Sequence, residues 1–529
     1  MKNLYYLFCI TTLVLLSGCE KFLTHDHPTD VDDEIWWNTE ANITSALNSI
    51  YAGIPDGSSG RQLMFLDAMS DNAVARQSLR GDYESYVKGI QGSNWGVGTG
   101  IWDDDYRDIR RANRFLENID RAYLPVEALK TQYIYEAKAL RAYYHMELFM
   151  FFGPVTILKN SVTPADSYLP RNTEKECYDF IIAELTESAS HLPPIFTVAA
   201  DQKRISAATC WGLISKLALY YKDYNLAKTA AKNIIDFGVY SLRKSANVKN
   251  SYADLFLYAG EVNNERIFFR EITSGGNQWN TFAPQGTGGK TVVSPTASIV
   301  NAYETKQGKT IQELGPDSLE IYKKDPNYRN NRDPRMAASI ILPGTTYTGV
   351  VLKPFENSGL DKLGEQNSTS TGYWINKYLD PRDKTGTRTL DFMIMRYAEV
   401  LLNYVECLIE LDDFTNPDVI KYLNEIRNRA GMPNVDVTVY NNKSKLTELV
   451  RRERRVELAF EGVRYYDIRR WGIFEEVMNG PVLGAVSPVT NQPVNVEVRA
   501  AKANRDMIWP IPQKELLANP QMKQNPNYN

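Results

Sequence analysis

The chain has 529 residues, with 60 basic and 64 acidic side chains and a formal net charge of −4 at pH 7. Its 43% hydrophobic and 23% charged shares are those of a globular protein, which excludes a disordered chain, a collagen or a coiled-coil rod. No basic excess marks it for nucleic acid, so none is expected as a partner.

Residues 1–18 read as a signal peptide. Lys2 precedes a weakly polar run from Leu4 to Leu16, long enough for a secretory core and too short to span a bilayer. Leu16-Ser17-Gly18-Cys19 resembles the lipobox of bacterial lipoproteins, which makes Cys19 the expected lipidation site. One acyl chain anchors only marginally, whereas the several chains of a lipoprotein, palmitate-like among them, hold it firmly. Residues 19–33 lack periodicity and read as the lipidated tether. Cys177, Cys210 and Cys407 are scattered and odd in number, so they read as core hydrophobes rather than a disulfide framework.

Residues 34–240 read as helical. A helix is predicted from Glu40 to Tyr51. Ile109, Ala112, Leu116 and Ile119 recur at the spacing of one helix face within Arg107–Asp120. Ala137, Leu140, Tyr144, Leu148 and Phe151 do the same before a stop at Gly153-Pro154, and a further helix is predicted from Glu174 to His191. Ala208–Tyr221 and Leu226–Ile235 form a candidate tetratricopeptide-like pair, with Gly212, Ala218, Tyr220, Ala227 and Ala230 at its small and aromatic positions. A second pair is predicted from Phe392–Leu411 and Val419–Ala430, opening a helical region over 392–529. Between them, 241–391 reads as a loop-rich ligand-binding insertion, glycine-rich from 272 to 388, with short strands at Ile267–Ile272 and Thr348–Leu352. The whole of 34–529 is expected to form one mainly α globule.

The chemical motifs are weak. Pro284-Gln-Gly-Thr-Gly-Gly-Lys-Thr291 has proline where a phosphate-binding loop needs its first glycine. The four histidines and the cysteines make no zinc motif, and no nucleophile elbow occurs. Glu453, Glu457 and Glu461 share one helix face among Arg451, Arg452, Arg454 and Arg455, which reads as a structural ion-pair network rather than a catalytic carboxylate pair. No catalytic residue, metal or cofactor is expected. Aromatic rings in glycine-rich loops remain: Trp95, Trp279, Tyr373 and Trp374 are the candidate ligand-binding residues, because a π face stacks on the C–H bonds of a sugar ring. Trp36, Trp102, Trp211, Trp471 and Trp509 sit in helix-like or apolar runs and read as core.

Several blocks carry a resemblance in chain order: Arg111-Ala-Asn-Arg-Phe115, Leu140-Arg-Ala-Tyr-Tyr144, Phe152-Gly-Pro154, and Met395-Arg-Tyr-Ala-Glu-Val-Leu-Leu402. They continue with Ile426-Arg-Asn-Arg-Ala-Gly-Met-Pro433, Arg452 to Arg464 with Asp467, Arg469-Arg-Trp-Gly472, Pro510-Ile-Pro512 and Gln524-Asn-Pro-Asn-Tyr528. With the lipobox they resemble the SusD/RagB family. The resemblance implies a non-enzymatic outer-membrane lipoprotein facing the cell surface. Its SusD-like fold would pack four tetratricopeptide-like units against an irregular region. It would bind glycan and deliver it as a hinged lid to a SusC-like TonB-dependent transporter. Peptide capture, as a RagB-like subunit, is the nearest alternative, followed by a surface glycosidase and a pure scaffold. Ligand contacts vary within the family, so the aromatic candidates rest on loop placement alone.

Overall fold

The computed structural model describes residues 36–55, 63–76, 80–163, 168–276, 278–386 and 388–528. The signal peptide, Cys19 and the tether lie outside them. Ten of the helices carry the architecture. The first six are α1 (Glu40–Tyr51), α2 (Gly96–Asn118), α3 (Glu127–Phe152), α4 (Glu174–His191), α5 (Ala207–Tyr220) and α6 (Tyr224–Asp236). After the insertion come α7 (Tyr397–Glu410), α8 (Pro417–Arg429), α9 (Lys443–Glu457) and α10 (Arg464–Arg470).

Local chemistry places the ends. Thr173 and Glu176 form a capping box at the start of α4, each side chain satisfying the other's backbone N–H. Gly153, at φ 68°, terminates α3 with no Cβ to oppose the turn. Asp223 caps α6 with only two residues between it and the end of α5, which folds the two helices back on each other. Gly212 on α5 permits close approach to the segment Phe392–Arg396, since a Cβ there would lie 2.1 Å from the Met395 sulfur. Neighbours in sequence pack together from α2 through α6, and α6 passes the stack on to α7, α8 and α9.

Two predicted boundaries move. The glycine-rich loop expected to carry Trp95 is partly helix, and the helix expected within Arg107–Asp120 starts earlier, because Gly96 to Gly100 begin α2 with Trp95 as N-cap. Gly98 suits that turn because a Cβ there would come within 3.1 Å of the Trp95 ring. The helix expected from Phe392 begins instead at Tyr397, since Phe392–Arg396 is a fully buried strand. Its apolar run is shared by helix and buried strand alike, and pairing with another strand decides between them.

The strands are short: β1 (Ala73–Ala75), β2 (Arg266–Arg270), β3 (Val293–Pro295), β4 (Ile340–Ile341), β5 (Thr346–Tyr347), β6 (Val350–Val351), β7 (Trp374–Ile375), β8 (Phe392–Arg396), β9 (Asn479–Val486) and β10 (Pro493–Ala500). They pair antiparallel in twos, β1 with β3, β2 with β8, β4 with β7, β5 with β6 and β9 with β10. Thr348, expected in a strand, occupies with Gly349 the β5–β6 turn, at φ 45° and 86°. The β9–β10 hairpin had no counterpart in the sequence reading. One apolar cluster runs from Trp37 through the helices and insertion to Ile511, and it leaves Cys177 and Cys210 buried within it as free thiols.

Of the three glutamates expected on one helix face, Glu453 and Glu457 lie on α9, whereas Glu461 follows its end, past the positive φ of Phe460, and all three are consumed by this architecture. Glu457 is met by Arg335 at 3.0 Å, by Arg396 at 2.7 Å and by Arg429, all buried. Glu461 pairs with Arg396 and Lys377, each at 2.7 Å, and Glu453 with Arg335 and with Arg427 at 3.0 Å. Glu265, Glu304 and Asp333 join them, with Arg452 on Glu304 at 2.8 Å, in a network that ties β8, α8 and α9 to the insertion.

Candidate functional site: a groove between the insertion and the C-terminal hairpin

The site begins with a turn. The β5–β6 hairpin is held open-ended by Gly344 N–H donating to Leu352 O at 2.8 Å and Leu352 N–H to Thr345 O at 3.0 Å. Beneath it, Trp374 packs with Ile341 and Leu352 in a small apolar cluster, and Trp279 stacks on Tyr347 at 6.0 Å. The hairpin thereby becomes a rigid wall rather than a loose loop.

The β9–β10 hairpin supplies the opposite side. Ala485 N–H donates to Thr371 O at 2.7 Å. This close approach needs glycine twice. A Cβ on Gly484 would lie 2.2 Å from Thr371 O, and one on Gly372, itself at φ 87°, would lie 2.9 Å from the Ala485 methyl and 3.4 Å from Phe355.

What remains between them is a groove of about 760 Å³. Buried Tyr373 and Leu352 lie at its base, half-buried Phe355 lines it, and Lys324 to Pro326 close one end. Arg332 holds that end by donating to Pro326 O at 3.0 Å while anchoring Val300 and Tyr303. Burial pulls the Arg332 guanidinium down to about 10, so it stays cationic near neutrality. Burial also pushes the Tyr373 hydroxyl up, with the Arg332 charge pulling the other way. The charged lining side chains are Lys324, Lys353, Asp325 and Glu356, a balanced set, with Lys353 and Glu356 paired at 2.8 Å. Such a groove suits a neutral, ring-bearing ligand better than an ion.

The predicted aromatic platforms need correction. Trp95, Trp279, Tyr373 and Trp374 are 6%, 2%, 2% and 0% exposed. Trp95 belongs to an aromatic cluster with Tyr86 and Trp509, at 5.8 and 4.7 Å, and donates its indole N–H to Asp82 O. Trp279 donates to Thr287 O at 3.2 Å. The four do not converge on an exposed face. Only Tyr373 lines the groove; Trp374 packs with Leu352 of its lining, and Trp279 stacks on Tyr347 of the β5–β6 hairpin. Burying a large apolar ring is favourable enough that a glycine-rich loop folds down over it rather than displaying it. Phe355 was missed; its signal was an aromatic bracketed by Lys353 and Glu356 in the glycine-rich stretch.

The groove carries no catalytic constellation. Its carboxylates, Asp325 and Glu356, are exposed, and Glu356 is already paired with Lys353. Among the described residues no group of three or more His, Cys, Asp or Glu side chains is arranged to hold a metal ion. His145 is buried, its Nε2 accepting from Leu158 N–H at 3.1 Å, and burial pushes it down to about 3.

Fold and site together define a mainly helical scaffold with a groove formed between two hairpins. Comparison with known proteins is specific. Residues 257–528 match the SusD family, and residues 21–219 match a family described as starch-binding and associating with the outer membrane. The chain belongs to the SusD family. It is 24% identical to SusD-like protein P38 of Formosa agariphila over 100% of this chain and 99% of that protein. A crystal structure of a SusD-like carbohydrate-binding protein from Bacteroides fragilis superposes with a TM-score of 0.83 at 27% identity, covering 92% of this chain and 100% of that one. A surface glycan-binding protein from Bacteroides fluxus shares the fold, with a TM-score of 0.70 at 22% identity, covering 93% of this chain and 100% of that one.

Proposed function

We propose that this protein is an outer-membrane lipoprotein that captures oligo- or polysaccharide and delivers it, as a lid, to a SusC-like TonB-dependent transporter. The observation that carries the reading is the groove itself: a charge-balanced cleft of about 760 Å³ with Phe355 and Tyr373 at its surface, in a SusD-family chain. A half-buried phenyl ring offers a face to a sugar, while Lys324, Lys353, Asn491 and Ser487 offer hydroxyl partners. Cys19 is the anchor, and the folded body faces the cell exterior. The likeness to a carbohydrate-binding protein from Bacteroides fragilis supports saccharide over peptide.

The test is affinity electrophoresis of residues 20–529 against neutral polysaccharides, with product analysis of the same mixtures. Retardation without cleavage, weakened in Phe355→Ala, is the expected result. Released oligosaccharides would make the protein an enzyme. Retention on peptide alone would replace the saccharide reading. For the assembly, Cys19→Ser is expected to shift the full chain from the membrane fraction to the soluble fraction and to abolish co-purification with the transporter.

A further inference from the structure

A second concavity, of about 470 Å³, shares no lining residue with the groove and differs from it in charge. Arg451, Arg452, Arg455 and Arg464 line it, with Glu448 as the acidic side chain among its lining residues. The acids behind these arginines are shared. Asp71 serves both Arg455 and Arg464, each at 2.8 Å, and Glu304 serves both Arg452 and Arg427, also at 2.8 Å. Arg451 reaches Glu410 only at 3.7 Å, and its Nε, shielded from solvent, has no hydrogen-bond acceptor among the described residues. The guanidinium groups are also held in place. Trp471, half-buried in the cleft, has Arg451 at 5.0 Å and Arg464 at 5.7 Å from its ring centre, so their forks are pre-positioned. Asn301, Thr310 and Gln312 add neutral amides and a hydroxyl to the lining.

We propose that this cleft is a second saccharide site, selective for sugar residues that carry a carboxylate or a sulfate ester, with Arg451 as its principal anion contact. The planar fork of arginine donates two parallel N–H groups to either oxyanion, and the amide and hydroxyl lining matches the ring hydroxyls of a sugar. An acidic peptide would use the charges and leave those neutral donors unmatched. Burial brings the Arg455 guanidinium down to about 10, with Asp71 pulling it up and Arg464 down, so it stays cationic near neutrality. The assignment rests on the reading of the chain as a saccharide-capturing protein, and it adds a class of saccharide that the charge-balanced groove does not select.

The experiment is isothermal titration of residues 20–529 with an oligogalacturonate, a sulfated oligosaccharide and a neutral oligosaccharide of matched length. The acidic ligands are expected to bind at least about tenfold more tightly than the neutral one and to weaken with added salt. Arg451→Ala is expected to lose about tenfold for acidic ligands only, Asn301→Ala less, and Phe355→Ala to lose neutral binding alone. Equal affinity for acidic and neutral ligands, or indifference to Arg451→Ala in a variant that melts like the parent, overturns the assignment. Poly-glutamate binding as tightly as the oligogalacturonate overturns it in favour of an acidic protein partner. Binding of the acidic ligands by the parent protein with no binding of the neutral one would count against the groove and leave this cleft standing, whereas silence toward every saccharide would remove both.

Discussion

The helical stack and the irregular insertion bury their aromatic residues equally well by different means. In the stack, Trp509 is surrounded by rings from helices and flanking segments, with Phe151 stacked at 4.3 Å and Trp95 edge-on at 4.7 Å. In the insertion, Trp374 is just as inaccessible, yet its cover consists of two-residue strands and turns. Irregular backbone is therefore not the same as exposed backbone. The insertion is a second packed layer whose concavity arises where two hairpins meet, and the glycines mark close approach at that junction rather than looseness.

Several measurements would break or sharpen this contrast. The largest effects are expected beneath the surface in both regions. Trp374→Ala leaves a cavity and should cost about 3–5 kcal/mol in urea unfolding, as a core substitution between helices would. A cost below about 1 kcal/mol would show the insertion to be loosely packed. Glu457→Ala removes the carboxylate that three buried arginines share, leaving each with its remaining acid partners, and should also cost about 3–5 kcal/mol. Its pH dependence has a definite sign. Against the upward push of burial, Arg429, Arg396 and Arg335 hold the Glu457 carboxyl well below its ordinary 4.5. The unfolded chain therefore takes up the proton first. The stabilisation is complete above about 4.5 and is lost as pH falls toward the folded value. Thermal melts at neutral pH and near pH 4 should show a smaller acid loss in Glu457→Gln than in the parent.

Intermediate effects are expected at the junction. Gly484→Ala forces its methyl onto the Thr371 carbonyl and should cost about 1–3 kcal/mol, with saccharide binding lost before the helical signal in circular dichroism changes. Unchanged binding would mean that the β9–β10 hairpin forms no part of the site. Phe355→Ala should weaken binding by about 1 kcal/mol, roughly fivefold, with little change in melting temperature. The smallest effect belongs to the exposed Lys353–Glu356 pair, where Lys353→Ala should change stability by less than about 0.5 kcal/mol.

Sequence alone determined the helices and their order, because a 3.6-residue apolar period, a capping box at Thr173 and a stop at Gly153-Pro154 are local signals. The ion-pair reading of Glu453, Glu457 and Glu461 was legible too: like charges so close in sequence need arginines to answer them, although α9 ends at Glu457 and Glu461 reaches the network from beyond it. Family blocks from Arg111 to Tyr528 carried the fold. Tertiary structure decided what local signals leave open. Whether Phe392–Arg396 became strand or helix depended on a partner 126 residues earlier, at Arg266–Arg270. Whether Trp95, Trp279 and Trp374 were displayed or buried depended on which distant segments folded over them. The groove exists only because Gly484 and Gly372, far apart in the chain, bring two backbones within bonding distance. A side chain's exposure is a property of everything packed against it, and residue type with immediate neighbours does not contain that information.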